Sequence, residues 1–139
     1  MRDRLLRLLG FLAASSSIGI LLAQFYGIAS MRTLSWSVFC PICAVLAVLG
    51  LTPTRLTGGE DFRRRLLVGL WAGWWGTVAY DLWRAPFFLL GMKPFRAHPR
   101  FGEFLTGLAP DTAWAQAAGW LYHFSNRIAF GVMYAMAVR

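Results

Sequence analysis

The sequence predicts an all-α integral membrane protein, in which four transmembrane helices form a bundle with short loops and one amphipathic helix in an outer loop. The chain has 139 residues, of which 58% are hydrophobic and only 14% are charged. The apolar residues form four runs that are long enough to cross a hydrocarbon core of roughly 30 Å as helices. No run alternates with the period of two that a barrel strand requires. We therefore expect residues 1–139 to form a single transmembrane domain.

The predicted spans cover residues 5–29, 34–51, 66–91 and 113–138. The first span follows a basic start and imitates a signal peptide, but no small-residue cleavage site precedes a polar segment, so we expect it to be retained. The second span is the shortest and contains Pro41. Asp61 and Asp111 each stand just ahead of a span, where an acidic side chain can cap the first turn of a helix.

Basic residues predict the orientation of the spans. Eight lie on the side of the two termini, and these are Arg2, Arg4, Arg7, Arg55, Arg63, Arg64, Arg65 and Arg139. Four lie on the other side, and these are Arg32, Lys93, Arg96 and Arg100. The positive-inside rule then places both termini in the cytoplasm, and a bacterial inner membrane is the expected location. The same rule accounts for the net charge of +8, so we expect a lipid bilayer and no nucleic acid as the partner.

Aromatic and apolar residues mark the predicted outer side. The long outer loop has an apolar spacing typical of a short amphipathic helix, formed by Phe101, Phe104, Leu105 and Leu108. Three tryptophans fall toward the outer boundary, where an aromatic belt belongs: Trp36, Trp83 and Trp114.

Small residues predict close helix packing. The third span has a stripe of Gly69, Gly73 and Thr77, and beside it a second stripe of Ala72 and Gly76. The first span offers a similar set, Ala13, Ser16, Ser17 and Gly19. The serines at 15–17 are expected to bond back to helix carbonyls or to a neighbouring helix.

Polar residues inside the last two spans form the main candidate site. Asp81 and Arg84 share a face of the third span, and His123, Asn126 and Arg127 lie within a little over one turn of the fourth. Two tyrosines lie in similar register, Tyr80 and Tyr122. Asp81 and His123 lie at a similar depth, roughly 15 Å from the outer end at about 1.5 Å per residue.

An unpaired charge near the bilayer centre costs roughly 2.5 to 3.5 kcal/mol, so these groups should pair inside the bundle. We predict that Asp81 pairs with Arg127 or His123, and that Arg84 extends outward or shares the carboxylate. The network then either holds the two helices together or forms a pocket for a ligand, and the sequence leaves both open.

His123 has a second interpretation. Gly119 precedes it by four residues, and this G-x-x-x-H spacing is similar to the small-xxx-His pattern of light-harvesting polypeptides. That resemblance implies a tetrapyrrole bound by His123, whereas an isolated membrane histidine is more often a hydrogen-bonded interface residue. A zinc site from Cys40, Cys43 and either His98 or His123 has suitable ligand types but no recognised spacing, so no metal is expected.

Cys40 and Cys43 form a C-x-x-C motif in the second span, a spacing that permits a redox disulfide. With this motif near the outer face of a four-span chain, the sequence resembles the quinone-linked membrane thiol oxidases of the disulfide-forming and vitamin K epoxide reductase type. Those enzymes use another cysteine pair to exchange electrons, and this chain has two cysteines in all. The alternative interpretation is a pair of small packing residues.

Two functional hypotheses follow from these features. The first is a small non-enzymatic membrane protein, either a subunit of a membrane complex or a binder of a hydrophobic small molecule, with its polar network as the site. The second is a membrane thiol oxidoreductase in which Cys40 and Cys43 are catalytic. An ion or proton carrier is a weaker third, because the spans hold a single carboxylate, Asp81. The sequence names no cofactor, and it has no hydrolase or P-loop motif.

Overall fold

The computed structural model describes residues 2–52, 59–92 and 97–138, and within these ranges all regular structure is helical. The helices are α1 (Arg2–Phe25), α2 (Met31–Leu51), α3 (Glu60–Leu89), α4 (His98–Thr106) and α5 (Ala113–Ala137). The predicted all-α fold is confirmed, and the four long helices overlap the four predicted apolar runs, with ends that differ by up to six residues. Four basic residues used to predict the orientation lie outside the described residues: Arg55, Lys93, Arg96 and Arg139.

Helix α2 passes a proline without ending. Ser30 caps it by accepting a hydrogen bond from the Thr33 backbone N–H at 3.1 Å. Residues Ser35–Phe39 then form a π-helical turn, directly ahead of Pro41. A proline has no N–H and its ring crowds the preceding turn, so a wider turn at this point lets the helix continue.

The two predicted caps are wrong. Asp61 lies inside the first turn of α3, because the helix already begins at Glu60. There its carboxylate accepts hydrogen bonds from Arg65 at 2.7 Å and Arg64 at 3.1 Å. At the start of α5 the cap is Thr112, whose backbone is extended and whose hydroxyl accepts from the Ala115 N–H.

The outer-loop helix is present as α4, but it ends earlier than its apolar pattern suggested. Gly107 closes it with φ of 72°, a left-handed conformation that glycine adopts without strain. Leu108 therefore lies beyond the helix. Phe101 is buried against α5, so α4 packs on the bundle rather than lying apart from it.

Helix α5 is the centre of the fold, because α1, α3 and α4 all pack against it. The contact with α3 uses the predicted Gly69, Gly73 and Thr77 stripe, whose residues are all buried. A Cβ at Gly73 would lie 2.6 Å from the Ile128 Cα. The second stripe makes no such contact, since no neighbouring atom lies within 4 Å of a Cβ placed on Gly76.

The bundle has an end rich in arginine, which we call the arginine end. There Arg7 of α1 donates to the carbonyls of Met136 at 2.9 Å and Val138 at 2.6 Å. Arg65 of α3 donates to the carbonyls of Ala135 at 3.0 Å and Val138 at 2.7 Å. The start of α1, the start of α3 and the end of α5 therefore lie together.

Two of the described helices, Asp3–Phe25 and Met31–Leu51, are long and apolar enough to cross a membrane. In the most apolar stretch of the first helix 22% of the residues are buried, and in that of the second 11% are buried. Most of the apolar surface of these two helices therefore faces outward. Helices α3 and α5 are less apolar, because they combine glycines and aromatic residues with the charged side chains Asp81, Arg84 and Arg127.

Candidate functional site

Asp81 is the centre of a polar contact between α3 and α5. Its Oδ2 lies 3.1 Å from His123 Nε2, and its Oδ1 accepts a hydrogen bond from Arg84 at 3.2 Å. Arg84 is 2% exposed and His123 is also buried, so the contact lies in the interior. Of the predicted arrangements, the structure forms the Asp81–His123 pair, and Arg84 shares the carboxylate.

Arg127 does not pair with Asp81. Its guanidinium carbon lies 3.7 Å from the centroid of the Tyr80 ring, a close cation–π contact. Arg84 approaches the same ring, at 5.0 Å. Among the described residues, none forms a hydrogen bond or an ion pair with Arg127.

The other two polar residues of α5 face a different helix. Asn126 Oδ1 accepts a hydrogen bond from Ser17 Oγ at 2.7 Å, and the Tyr122 hydroxyl donates to the Ser17 carbonyl at 2.6 Å. Ser17 belongs to α1, where Ser15 and Ser16 bond back to helix carbonyls as expected. The polar residues that were predicted to form one network therefore form two separate networks. One joins α5 to α3, and the other joins α5 to α1.

Helix α4 packs on α5 beside His123. His98 is buried and stacks on Trp120 with 4.2 Å between ring centroids, and Trp120 contacts His123 edge to face at 5.5 Å. The backbone of α4 approaches α5 so closely that a Cβ on Gly119 would overlap the His98 carbonyl. The space that the tetrapyrrole interpretation requires beside Gly119 is therefore filled by α4.

Sequence reasoning missed this role of His98. The sequence offers His98 only as a zinc ligand beside Cys40 and Cys43. The available signal was a pair of glycines, Gly102 on α4 and Gly119 on α5, each of which leaves room for the backbone of the other helix. Two such glycines on neighbouring elements indicate a close crossing of helices.

A groove of about 790 Å³ lies between α3 and α5, alongside the tight glycine contact. We call it the α3–α5 groove. It runs from Arg64 and Arg65 at the arginine end to Thr77 and Arg127 at its deep end. Its walls between these ends are apolar or small: Val68, Ala72, Gly73, Gly76, Phe130, Gly131, Tyr134, Ala135 and Val138. Among the residues that the structure describes, no acidic one lines it.

The cysteines lie apart from these contacts. Cys40 and Cys43 are both exposed on α2 and form no disulfide, so they are not buried packing residues. Cys43 borders an apolar cavity of about 370 Å³ between α2 and the other long helices. Among the described residues, no group of three His, Cys, Asp or Glu side chains is arranged to hold a metal ion, and the zinc set considered from the sequence is not assembled.

Comparisons of this chain with known protein families, with curated proteins and with solved structures find no match. The described residues form two polar contacts between helices, a groove with an arginine at its deep end, and an exposed thiol pair.

Proposed function

We propose that this chain is a non-enzymatic integral membrane protein of four spans that binds a hydrophobic, lipid-like ligand in the α3–α5 groove. Its expected setting is a bacterial inner membrane with both termini in the cytoplasm. The arginine end would then face the cytoplasm, in agreement with the positive-inside rule. The observation that carries the ligand proposal is the groove itself.

The surface of α3 supports membrane insertion of the whole bundle. Large apolar side chains along it are mostly exposed, including Val68 at 58%, Trp71 at 62% and Leu82 at 67%. Soluble proteins rarely expose contiguous apolar surface on this scale, whereas lipid covers it without cost. Three of the polar residues of α3 and α5 fit the same setting, because Asp81, Arg84 and His123 contact one another inside the bundle.

The α3–α5 groove has the size and walls of a small-molecule site. Pockets for such ligands usually enclose about 300 to 1,000 Å³ and are lined by apolar groups with a few polar ones. The α3–α5 groove has about 790 Å³, and its polar groups stand at its two ends. The Asp81–His123 contact holds the two helices together just beyond the deep end, so the polar network would shape the site without lining it.

Gly76 offers a test of this proposal. A leucine at position 76 extends into the groove and meets no protein atom within 4 Å of its Cβ, so it should occupy the ligand space without disturbing the fold. The matched control is Gly19→Leu on α1, which also meets nothing within 4 Å and lies outside the groove.

The measurement is native mass spectrometry of the gently extracted protein, with lipid analysis of what remains bound. We expect the wild type and Gly19→Leu to retain bound lipid, and Gly76→Leu to lose most of it. Equal retention in all three proteins would contradict binding in the groove.

The exposed thiols support a second candidate function, a membrane thiol oxidoreductase that uses Cys40 and Cys43. Exposure is the observation in its favour, because a thiol must be accessible to exchange electrons with a partner. Alkylation of intact membranes before and after reduction tests it. A disulfide fraction that changes with the redox state of the membrane would support this function, and two permanently reduced thiols would contradict it.

A further inference from the structure

We infer that the ligand of the α3–α5 groove carries an anionic oxygen group, a carboxylate or a phosphate, and that Arg127 binds this group at the deep end. This inference rests on the proposed function and specifies the chemistry of its ligand. The occupant is thus a lipid with one acid group and at least one apolar chain. The support comes from the charge balance, from the geometry of Arg127 and from the state of the other groove arginines.

The charge balance within the last two spans is positive. Residues 66–91 and 113–138 contain two arginines, Arg84 and Arg127, and one carboxylate, Asp81. Both oxygens of Asp81 are already engaged, one with Arg84 and the other with His123. The charge of Arg127 is therefore not compensated by any acidic residue of these spans, and a charge in this setting needs a partner.

The position of Arg127 leaves it able to accept such a partner. The guanidinium lies over the Tyr80 ring, and stacking of this kind occupies its flat face. Its N–H donors point outward in the plane of the group, and among the described residues none accepts a hydrogen bond from them. The planar fork of N–H donors matches the two oxygens of a carboxylate or phosphate.

The other groove arginines are already engaged. Arg65 donates to two carbonyls of α5 and to Asp61, and Arg64 pairs with Asp61. Arg64 is also widely exposed at the arginine end, where water competes for its donors. Arg127 thus differs from them in lying about ten residues, or roughly 15 Å, from the end of α5 with apolar walls beside it.

The apolar chain has a place in the same groove. The small residues Ala72 and Gly76 leave an open channel along α3, and Phe130 forms the facing wall on α5. A lipid chain lying here would cover surface that the protein leaves open while its acid group contacts Arg127. Anionic and neutral lipids of the same chain should therefore bind with different affinity.

The test uses the purified full-length protein in a neutral detergent, at a pH where both acid probes are ionised. Two matched pairs of probes are titrated and followed by native mass spectrometry: oleic acid against methyl oleate, and phosphatidic acid against the diacylglycerol with the same chains. We expect at least one acid to bind about tenfold more tightly than its neutral match, since charge-assisted hydrogen bonds provide this scale of preference. Preference in the first pair identifies a carboxylate ligand, and preference in the second a phosphate ligand.

Three variants test whether Arg127 is responsible for the preference for acid probes. Arg127→Met keeps an apolar stem and removes the charge, and Arg127→Gln keeps hydrogen-bonding capacity without charge. Both should bind acid and neutral probes equally, while Arg100→Gln, which changes an exposed arginine of α4 outside the groove, should keep the wild-type preference. Thermal unfolding shows which variants are folded, and either substitution at Arg127 suffices for the test.

The outcomes separate this inference from the proposed function. An unchanged acid preference after substitution of Arg127, or no acid preference in the wild type, overturns the inference. If the inference fails but Gly76→Leu still weakens the binding of every probe, the proposed function remains supported without the inference about the acid group. If no probe binds the wild type, or if Gly76→Leu binds all probes as the wild type does, both fail.

Discussion

Helices α5 and α2 differ in how they are attached to the bundle. Helix α5 packs against α1, α3 and α4, and at several points its contacts with α3 and α4 are so close that only glycine fits. Helix α2 buries Met31 and Ser35 near its start and Gly50 near its end, while most of the side chains between them are exposed. An apolar cavity separates its middle from the other long helices.

The contrast shows that length and hydropathy do not determine which helix organises a bundle. Helix α2 is more apolar than α5, yet α5 holds the fold together. Close packing in a membrane needs small residues and a few polar contacts rather than more apolar surface. The most apolar helix, α2, thus leaves most of its own side chains exposed.

The largest expected effect comes from Gly73→Leu, which breaks the α3–α5 contact. Its Cβ would lie 2.6 Å from the Ile128 Cα, and a backbone atom cannot move aside without separating the helices. We expect destabilisation of at least about 3 kcal/mol or failure to fold, measured by thermal or denaturant unfolding in detergent. Gly76→Leu, three residues along the same helix, should change stability by less than about 0.5 kcal/mol.

The next effect concerns Asp81→Asn, which removes the carboxylate from the centre of the polar contact. Because Arg84 is 2% exposed and Asp81 is partly exposed, we expect a loss of about 2 to 3 kcal/mol in unfolding free energy. Adding Arg84→Met should recover part of that loss. Adding Arg127→Met should be additive with Asp81→Asn, since these two residues make no contact, and strong coupling between them would contradict the observed geometry.

A smaller effect is expected for Cys40→Ala and Cys43→Ala on α2. Both side chains are exposed, so their removal leaves no cavity in the bundle. Unfolding in detergent should change by less than about 0.5 kcal/mol for each variant. A loss above about 1 kcal/mol would show that α2 is packed more tightly than the contrast with α5 implies.

The smallest effect concerns Asp61 at the arginine end. The hydrogen bond from Arg65, with a further contribution from Arg64, holds the pKa of the Asp61 carboxyl below its usual value. A lowered folded-state pKa stabilises the fold above the unfolded-state pKa, and this contribution disappears as the pH falls through the folded-state value. A slight decrease of the unfolding temperature below about pH 4 should therefore be weaker in Asp61→Asn.

The long helices could be predicted from the sequence because their apolar runs are long and their breaks contain proline, glycine and charge. Their ends could not, since a helix continues wherever its backbone is satisfied. Helix α3 begins at Glu60 because Asp61, Arg64 and Arg65 pair on its solvent side, although none of them is apolar. Helix α5 begins after Thr112 rather than Asp111, because the extended backbone of Thr112 aims its hydroxyl at the helix.

The candidate site could be predicted only in part. Depth along each helix brought Asp81 and His123 to the same level, and they are in contact. Depth does not say which way a side chain points around the helix axis. Tyr122 and Asn126 were therefore predicted to face α3, whereas they form hydrogen bonds with Ser17 of α1. The groove exists because the space beside Gly76 is not filled by a side chain of a neighbouring helix. A sequence pattern does not show such a space.

The arginine contacts at the end of α5 bear on the order in which the molecule is assembled. A helix leaves its last carbonyls without donors, and here Arg7 and Arg65 supply them from the first and third helices. During synthesis both arginines are made long before the carbonyls that they will cap. Packing of α5 is therefore the step that ties α1 and α3 together at the arginine end.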